Sequence, residues 1–274
     1  MDKAKYFGLR KIYYVLLGLR LNVKRELSYI NTCFRQEGIL GKKNNKRKIC
    51  IAGSYEEGYF QGIGSNYDGV EIPLNLLRKK IYQERINELR KHLGNLAGKR
   101  ILDIGCGVGT FLSICDNHGM QTFGIDISTY ALKEAFLNTK AKLAQVDLIK
   151  DRFPFTKNSF NAVTVFDVVE HIGKDDLLFE NCRRVLKKDG ILYLVTPNGI
   201  QKADNDYTHI NLKRINYWNS YCKQFGFKIL NSYIYKWYPP FPYLISQKIL
   251  RVINIIRRRY IEQAVIIAKK EEVI

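Results

Sequence analysis

The chain has 274 residues, 46% of them hydrophobic and 26% charged, a balance that excludes a disordered or fibrous chain and supplies ample apolar surface for a buried core. Its 45 Lys plus Arg against 26 Asp plus Glu give a formal net charge of +19, but residues 99–198 hold 13 basic and 12 acidic residues, so the flanks carry +18 of it. A near-neutral centre between basic flanks points to extensions that meet an anionic surface or that stay as a solvated Lys-rich face.

Residues 5–21 place Leu9, Ile12, Tyr13, Leu16, Leu17 and Leu19 among Lys and Arg. The continuous apolar run at 12–19 is far shorter than the roughly 20 residues a membrane-spanning helix needs. Arg20, Lys24 and Arg25 follow it, and no small-x-small cleavage site appears, so the segment does not read as a signal peptide either. It is expected to form a basic amphipathic helix, packed on the rest of the chain or lying on an anionic membrane. Residues 41–48, Gly-Lys-Lys-Asn-Asn-Lys-Arg-Lys, read as a solvated linker. Residues 53–69 then combine five glycines with Tyr55, Tyr59, Phe60 and Tyr67, poor material for a regular element and good material for a conformable loop with large contact residues. Pro73 opens a helical pattern to residue 96, with Leu76, Leu77, Ile81, Ile86, Leu89 and Leu93 on its apolar positions.

The stretch at 101–112, Ile-Leu-Asp-Ile-Gly-Cys-Gly-Val-Gly-Thr-Phe-Leu, reads as a strand, a tight turn and a helix N-terminus. Gly105, Gly107 and Gly109 let the backbone turn and let a ligand approach it, and the N–H groups of the following helix favour a carboxylate. The spacing is not the G-x-G-x-x-G of dinucleotide sites. Asp103, two residues before the first glycine, would repel a pyrophosphate but can pair with the ammonium of an amino-acid moiety, so the expected ligand is a zwitterion. Short β-rich runs recur at 122–126, 142–147, 162–166 and 190–196, each separated by a helix or loop, which argues a doubly wound parallel sheet with ligands at the carboxyl ends of its strands. A helix is expected to close at Asp189-Gly190 before the run at 190–196.

Asp103-x-Gly105-x-Gly107-x-Gly109 resembles the first motif of the class I S-adenosylmethionine-dependent methyltransferases, in their small-molecule type. The resemblance extends over roughly residues 96–269. It implies a Rossmann-like α/β fold, a seven-stranded mostly parallel sheet whose last strand, around 263–268, runs antiparallel between its neighbours, plus the basic helical N-terminal extension. In domain terms, residues 1–72 are the extension and lid, and residues 73–274 the methyltransferase domain with a helical insertion at about 236–260. S-adenosylmethionine is the implied cofactor and S-adenosylhomocysteine its product. Besides the turn residues with Cys106, the implied cofactor contacts are Asp126 on the ribose hydroxyls with Ile127 beside it, Asp147 at the adenine amino group with Leu148 against the ring, and Phe166. A carboxylate accepts well from two vicinal hydroxyls, which is the physical reason for an acid at 126.

By the same resemblance, the loop after the fourth strand, Asp167-Val-Val-Glu170-His171, faces the transferred methyl group. Asp167, Glu170 and His171 are the residues to examine there. A histidine can remove a proton from an attacking hydroxyl, or Glu170 and His171 can simply cap the next helix. Residues 206–211, Asp-Tyr-Thr-His-Ile-Asn, resemble a substrate-mouth segment, where Tyr207 and His209 bind or deprotonate an acceptor or His209 serves as a turn residue. The aromatic loop resembles the lids of this family, with Tyr55, Tyr59, Phe60 and Tyr67 as candidates for excluding water. Asn161 stands where the family usually has Asp, a change expected to alter local hydrogen bonding more than chemistry. Residues 236–260 hold a Pro- and aromatic-rich stretch followed by an amphipathic helical pattern with Arg251 and Arg257 to Arg259 on its polar side.

The expected activity is methyl transfer to a small-molecule, glycan or lipid-linked acceptor, first of all at oxygen. An RNA or protein methyltransferase is the alternative enzyme, weakened by the lack of an Asn-Pro-Pro-Tyr-type clamp, an RNA-binding module or paired catalytic cysteines. A membrane-associated scaffold is the non-enzyme alternative. Cysteines at 33, 50, 106, 115, 182 and 222 form no C-x-x-C pair or zinc spacing, so no metal is expected, and the chain reads as cytoplasmic, with peripheral contact to the inner face of the membrane through its basic flanks.

Overall fold

The computed structural model describes residues 55, 57–60, 73–199, 206, 208–237 and 261–271, all within one compact unit. The expected N-terminal helix, the linker at 41–48, Tyr67, Tyr207 and residues 238–260 of the expected insertion lie outside the described residues. In chain order the elements are α1 (Glu57–Phe60), α2 (Pro73–Leu93), β1 (Arg100–Ile104), α3 (Thr110–Asn117), β2 (Gln121–Asp126), α4 (Thr129–Asn138), β3 (Lys142–Gln145), β4 (Phe160–Phe166), a 3₁₀ turn (Val169–His171), α5 (Asp176–Val185), β5 (Leu186–Pro197), α6 (Ile215–Gln224), β6 (Phe227–Trp237) and β7 (Ile261–Lys270).

The seven strands pair in the order β3-β2-β1-β4-β5-β7-β6. Every pairing through β5 is parallel, and β7 lies antiparallel between β5 and β6, the arrangement expected from the sequence. Alternation along the central strands sends side chains to two separate cores. Leu102, Ile104, Val163, Val165, Leu192 and Leu194 pack with Leu178 and Phe179 of α5 and Trp218 of α6 on one face. Ile101, Ala162, Ile191, Tyr193 and Val195 pack with Ile86 and Leu89 of α2 and Phe111 of α3 on the other. Strands covered on both faces are near-continuous apolar runs, and β1 shows it, with four of its five residues buried. Cys106, Cys115, Cys182 and Cys222 are buried free thiols, which behave as small hydrophobes.

Local chemistry fixes the element ends that matter. Ser128 caps α4 by accepting the Ala131 N–H at 3.1 Å. Asn161 accepts the Arg100 N–H at 3.0 Å and so ties β4 to the start of β1, a structural role for the one departure from the family pattern. The expectation of a helix closing at Asp189-Gly190 is corrected: α5 stops at Val185, where the Asn158 and Ser159 N–H groups take the last carbonyls, of Arg184 and Val185, and Leu186 already pairs with Phe160. Residues 187–190 then form an excursion before Ile191 rejoins β4, with Asp189 at φ 59°.

Candidate active site

The glycine turn is built as its spacing demands. Gly105, Gly107 and Gly109 have φ of 66°, 51° and 78°, all in the left-handed region. A Cβ on Gly105 would lie 2.4 Å from Val168 Cγ2, so only glycine fits beneath the loop that follows β4. Gly109 caps α3, leaving that helix's N-terminus beside the turn.

A cavity of about 360 Å³ opens along the carboxyl ends of the strands. One side of it is lined by Gly105, Cys106, Gly107, Asp126, Ile127, Asp147, Leu148 and Phe166, which the resemblance names as cofactor contacts. Asp126 is 8% exposed, and its Oδ1 and Oδ2 accept the Ser128 and Gly107 N–H groups at 2.9 and 2.8 Å. Those two bonds aim the carboxylate, and each oxygen keeps a second lone pair for a ribose hydroxyl. Burial raises its pKa against the opposing effect of these N–H donors. At Asp147 burial is outweighed by the Lys150 ammonium, 2.9 Å away, which holds the carboxyl below its ordinary range.

Asp103 and Gly109 are placed differently from the other turn residues, because neither lines the cavity. The Asp103 carboxyl is buried under the turn, where Oδ1 accepts the Thr164 hydroxyl at 2.6 Å. Burial above all, with the nearby Asp126 charge, pushes it up to about 7, partly opposed by Thr164.

The other side of the cavity is a network of side chains from distant parts of the chain. Asp167 follows β4 at φ 54°, and its Oδ1 accepts Gln263 Nε2 at 2.9 Å. Glu170 is fully buried and takes the Thr196 hydroxyl on Oε2 at 2.8 Å, while Oε1 has no hydrogen-bond partner. Burial first, then the Asp167 charge, raises the Glu170 pKa well above the carboxylate range, so near neutrality it is held as the protonated acid. His171 Nδ1 lies 2.8 Å from the Thr208 hydroxyl, which donates to Asp206 Oδ1 at 2.5 Å. The His209 ring stands 4.7 Å from that of His171, with Nε2 3.8 Å from Asp206 Oδ2. Donor atoms of Glu170, His171 and His209 fall within 4.8 Å of one another.

Over this network sit the aromatic residues of the N-terminal loop. Tyr55 and Tyr59 approach His171 edge-on, at 5.7 and 6.3 Å, and Phe60 packs on Tyr130 at 5.9 Å. Burial and the Asp206 carboxylate push the Tyr59 phenol up, so it serves as a hydrogen-bond donor and not as a base. The loop is not wholly irregular: α1 supplies one helical turn that carries Tyr59 and Phe60.

The structure thus brings Asp167, His171, His209, Tyr55 and Tyr59 to one wall. Asp206, Thr208, Arg85 and Gln263 were not singled out by sequence reading. Asp206-x-Thr208 has the spacing of an Asx turn, in which Thr208 N–H donates back to Asp206 Oδ1 at 2.9 Å. Arg85 lies four residues from both Ile81 and Leu89, a charge on an apolar helical stripe, which was the available signal.

A methyltransferase-domain family model matches residues 77–232, more than half of the chain. The chain belongs to this methyltransferase family. It is an S-adenosylmethionine-dependent enzyme, and the residues lining the cofactor side fit that molecule. Among curated proteins it is 30% identical over 138 residues to the ubiquinone biosynthesis O-methyltransferase of Idiomarina loihiensis, and 33% identical over 135 residues to that of Xanthomonas oryzae. Each match covers 48% of this chain, and the chain spans about half the length (54%) of these relatives. Among solved structures it resembles a SAM-dependent methyltransferase from Archaeoglobus fulgidus (TM-score 0.52, 21% identity, 70% of this chain and 94% of that one). It also resembles phosphoethanolamine N-methyltransferase 2 of Haemonchus contortus (TM-score 0.54, 20% identity, 69% and 53%), a likeness of fold.

Proposed function

We propose that this methyltransferase acts on a hydroxyl of a small acceptor, lipid-linked by preference, with His171 as the base. The observation that carries this reading is the chain Asp206–Thr208–His171. The Thr208 hydroxyl gives its single proton to Asp206 Oδ1 and therefore meets His171 Nδ1 as an acceptor. Nδ1 then bears the ring proton, and Nε2 holds the lone pair that a base requires. S-adenosylmethionine, when bound, supplies an electrophilic methyl on a sulfonium.

The remaining residues set the conditions for attack. Tyr55 and Tyr59 keep the histidine under an aromatic cover, where water is excluded and a nearby cation is favoured. Glu170, protonated and braced by Thr196, adds no negative charge beside the base. An acceptor hydroxyl held at Nε2 loses its proton as its oxygen attacks, a contribution of about 10²–10⁴ in rate. The names of the curated relatives, O-methyltransferases of ubiquinone biosynthesis, support oxygen as the acceptor atom and an apolar tail on the acceptor.

We assign the +18 of the flanks the role of peripheral contact with an anionic membrane face that presents a lipid-linked acceptor. The test is methyl-labelled S-adenosylmethionine supplied to the protein with fractionated cell extract. Label in organic-soluble product, stable to mild acid and base as an ether is, supports the proposal. Label in RNA or protein, retained on those polymers, contradicts it.

A further inference from the structure

A second cleft, of about 780 Å³, lies between α5, the loop that leads into β4 and the end of β7, and it shares no lining residue with the catalytic cavity. Lys150, Arg152, Lys157, Arg183, Arg184 and Lys270 line it against one acid, Glu180. Lys150 pairs at 2.9 Å with Asp147, which does not line the cleft. Among the described residues, the other five cations and Glu180 form no ion pair. Three of the five are held by neutral acceptors. Arg184 donates to the Phe153 and Phe155 carbonyls at 2.8 and 2.6 Å, and Arg183 to those of Gly226 and Glu271 at 2.7 and 3.0 Å. Lys270 donates to the Leu186 carbonyl at 2.7 Å and to Asn158 Oδ1 at 2.8 Å. Gly226 leaves room for this arrangement, since a Cβ there would lie 2.8 Å from Arg183 Nη1. Arg184 Nε is buried and has no partner. The held charges press on their neighbours: after burial, Arg152 lowers the Arg184 pKa and Arg183 lowers that of Lys270.

We infer that this cleft binds a compact oligophosphate, the triphosphate chain of a nucleotide or of free polyphosphate, at a site separate from methyl transfer. Neutral carbonyls fix the cations without cancelling their charge, so the balance is left to a ligand. Guanidinium forks match phosphate oxygens two at a time, and the exposed Arg152 and Lys157 add charge at the open side. An extended RNA strand fits less well, because such strands stack their bases on free aromatic rings. Phe225, the one ring on the lining, already packs against Phe179 and Tyr221 at 5.6 and 5.0 Å. The inference does not depend on the acceptor proposed above.

The experiment titrates tripolyphosphate, uridine triphosphate and sulfate into the native chain, into Arg152→Gln/Lys157→Gln, and into Lys79→Gln/Lys80→Gln, which removes the same charge from exposed positions on α2. All four positions are exposed, and a native-like unfolding midpoint shows that each variant is folded. Tripolyphosphate should bind the native protein about tenfold or more tightly than sulfate, lose about tenfold or more in the cleft variant, and change by less than about threefold in the α2 variant. Equal affinity for the two triphosphates assigns the site to the phosphate chain alone, and tighter uridine triphosphate assigns it to a nucleotide; either result supports the inference. Added S-adenosylhomocysteine should leave these affinities within about twofold, because the two sites are separate. Its displacement of the oligophosphate would place that binding in the catalytic cavity and overturn the cleft site. An equal loss in both variants would reduce the binding to the overall charge of the chain and overturn the site, as would no binding of either triphosphate. A single-stranded RNA oligonucleotide bound more tightly than tripolyphosphate, with the same dependence on Arg152 and Lys157, would replace the oligophosphate site by a nucleic-acid surface.

Discussion

The cavity wall at the ends of β1, β2 and β3 is shaped by local turns, and the wall at the ends of β4, β5 and β7 by side chains brought together from distant parts of the chain. At the ends of β1, β2 and β3, the left-handed Gly105 and Gly107 and an Asp126 carboxylate held by two nearby N–H donors belong to a surface set by local turns. At the ends of β4, β5 and β7, the working atoms of Asp167, Glu170, His171, Asp206, Thr208 and Gln263 are held by contacts across up to 178 residues of sequence, as in the Arg85–Gln263 bond. A surface of the first kind tolerates little change and keeps one ligand. One of the second kind can be re-specified by single substitutions, which is how one fold serves many acceptors.

The division is sharpest at His171. His171→Gln should lower methyl transfer by about 10²–10⁴ while leaving the affinity for S-adenosylhomocysteine within about threefold. Steady-state rates and a binding titration on the same preparation check both halves of that statement, and parallel losses would show that the two sides are not separable.

Asp103 probes the buried support of the cofactor side. Its folded pKa of about 7 lies above the ordinary 3.8, so the unfolded carboxyl ionises first and folding is penalised as pH rises from about 4 through 7. The penalty is absent below 4 and complete above 7, with an upper bound of about 4 kcal/mol and about half of that after local relaxation. Asp103→Asn, which keeps an acceptor for Thr164, should therefore gain Tm relative to the native ligand-free protein between pH 5 and 8. A difference independent of pH would mean that the carboxyl is not desolvated.

Thr208→Val should cost about tenfold in turnover, because the proton on His171 Nδ1 loses its acceptor and the ring its preferred tautomer. The pH–rate profile should change shape, and Thr208→Ser should restore both. A profile that keeps its form in Thr208→Val would reduce the residue to packing. The smallest effect concerns metal: with His171 as base, chelation by EDTA should leave the rate unchanged. A loss reversed by added divalent cation would turn the closely spaced Glu170, His171 and His209 donors into a metal centre and replace the base mechanism.

The same contrast explains what the sequence made legible. Asp103 and the alternating glycines were legible from their spacing, the parallel sheet from the alternation of β-rich runs with helices, and Asp126 from the resemblance to the family. Even there, the pairing of Asp103 with Thr164 beneath the turn was not legible, since the partner lies on β4, 61 residues away. On the acceptor side, His171 and His209 were visible as residue types, but their adjacency and the Thr208 hydroxyl between His171 and Asp206 depend on how separate loops pack. The excursion at residues 187–190 was missed because a Lys-Lys-Asp-Gly run reads as a helix end, whereas pairing of Leu186 with Phe160 starts the strand earlier.

The division of labour is tested most directly by titrating S-adenosylhomocysteine into the native protein, Asp126→Ala and His171→Gln. Loss of the two ribose bonds to a buried carboxylate should weaken binding by about 2–4 kcal/mol in Asp126→Ala, roughly 30- to 1,000-fold, with His171→Gln close to native. Native-like affinity in Asp126→Ala, or an equal loss in His171→Gln, would contradict a cofactor site formed by the β1–β3 ends independently of the acceptor network.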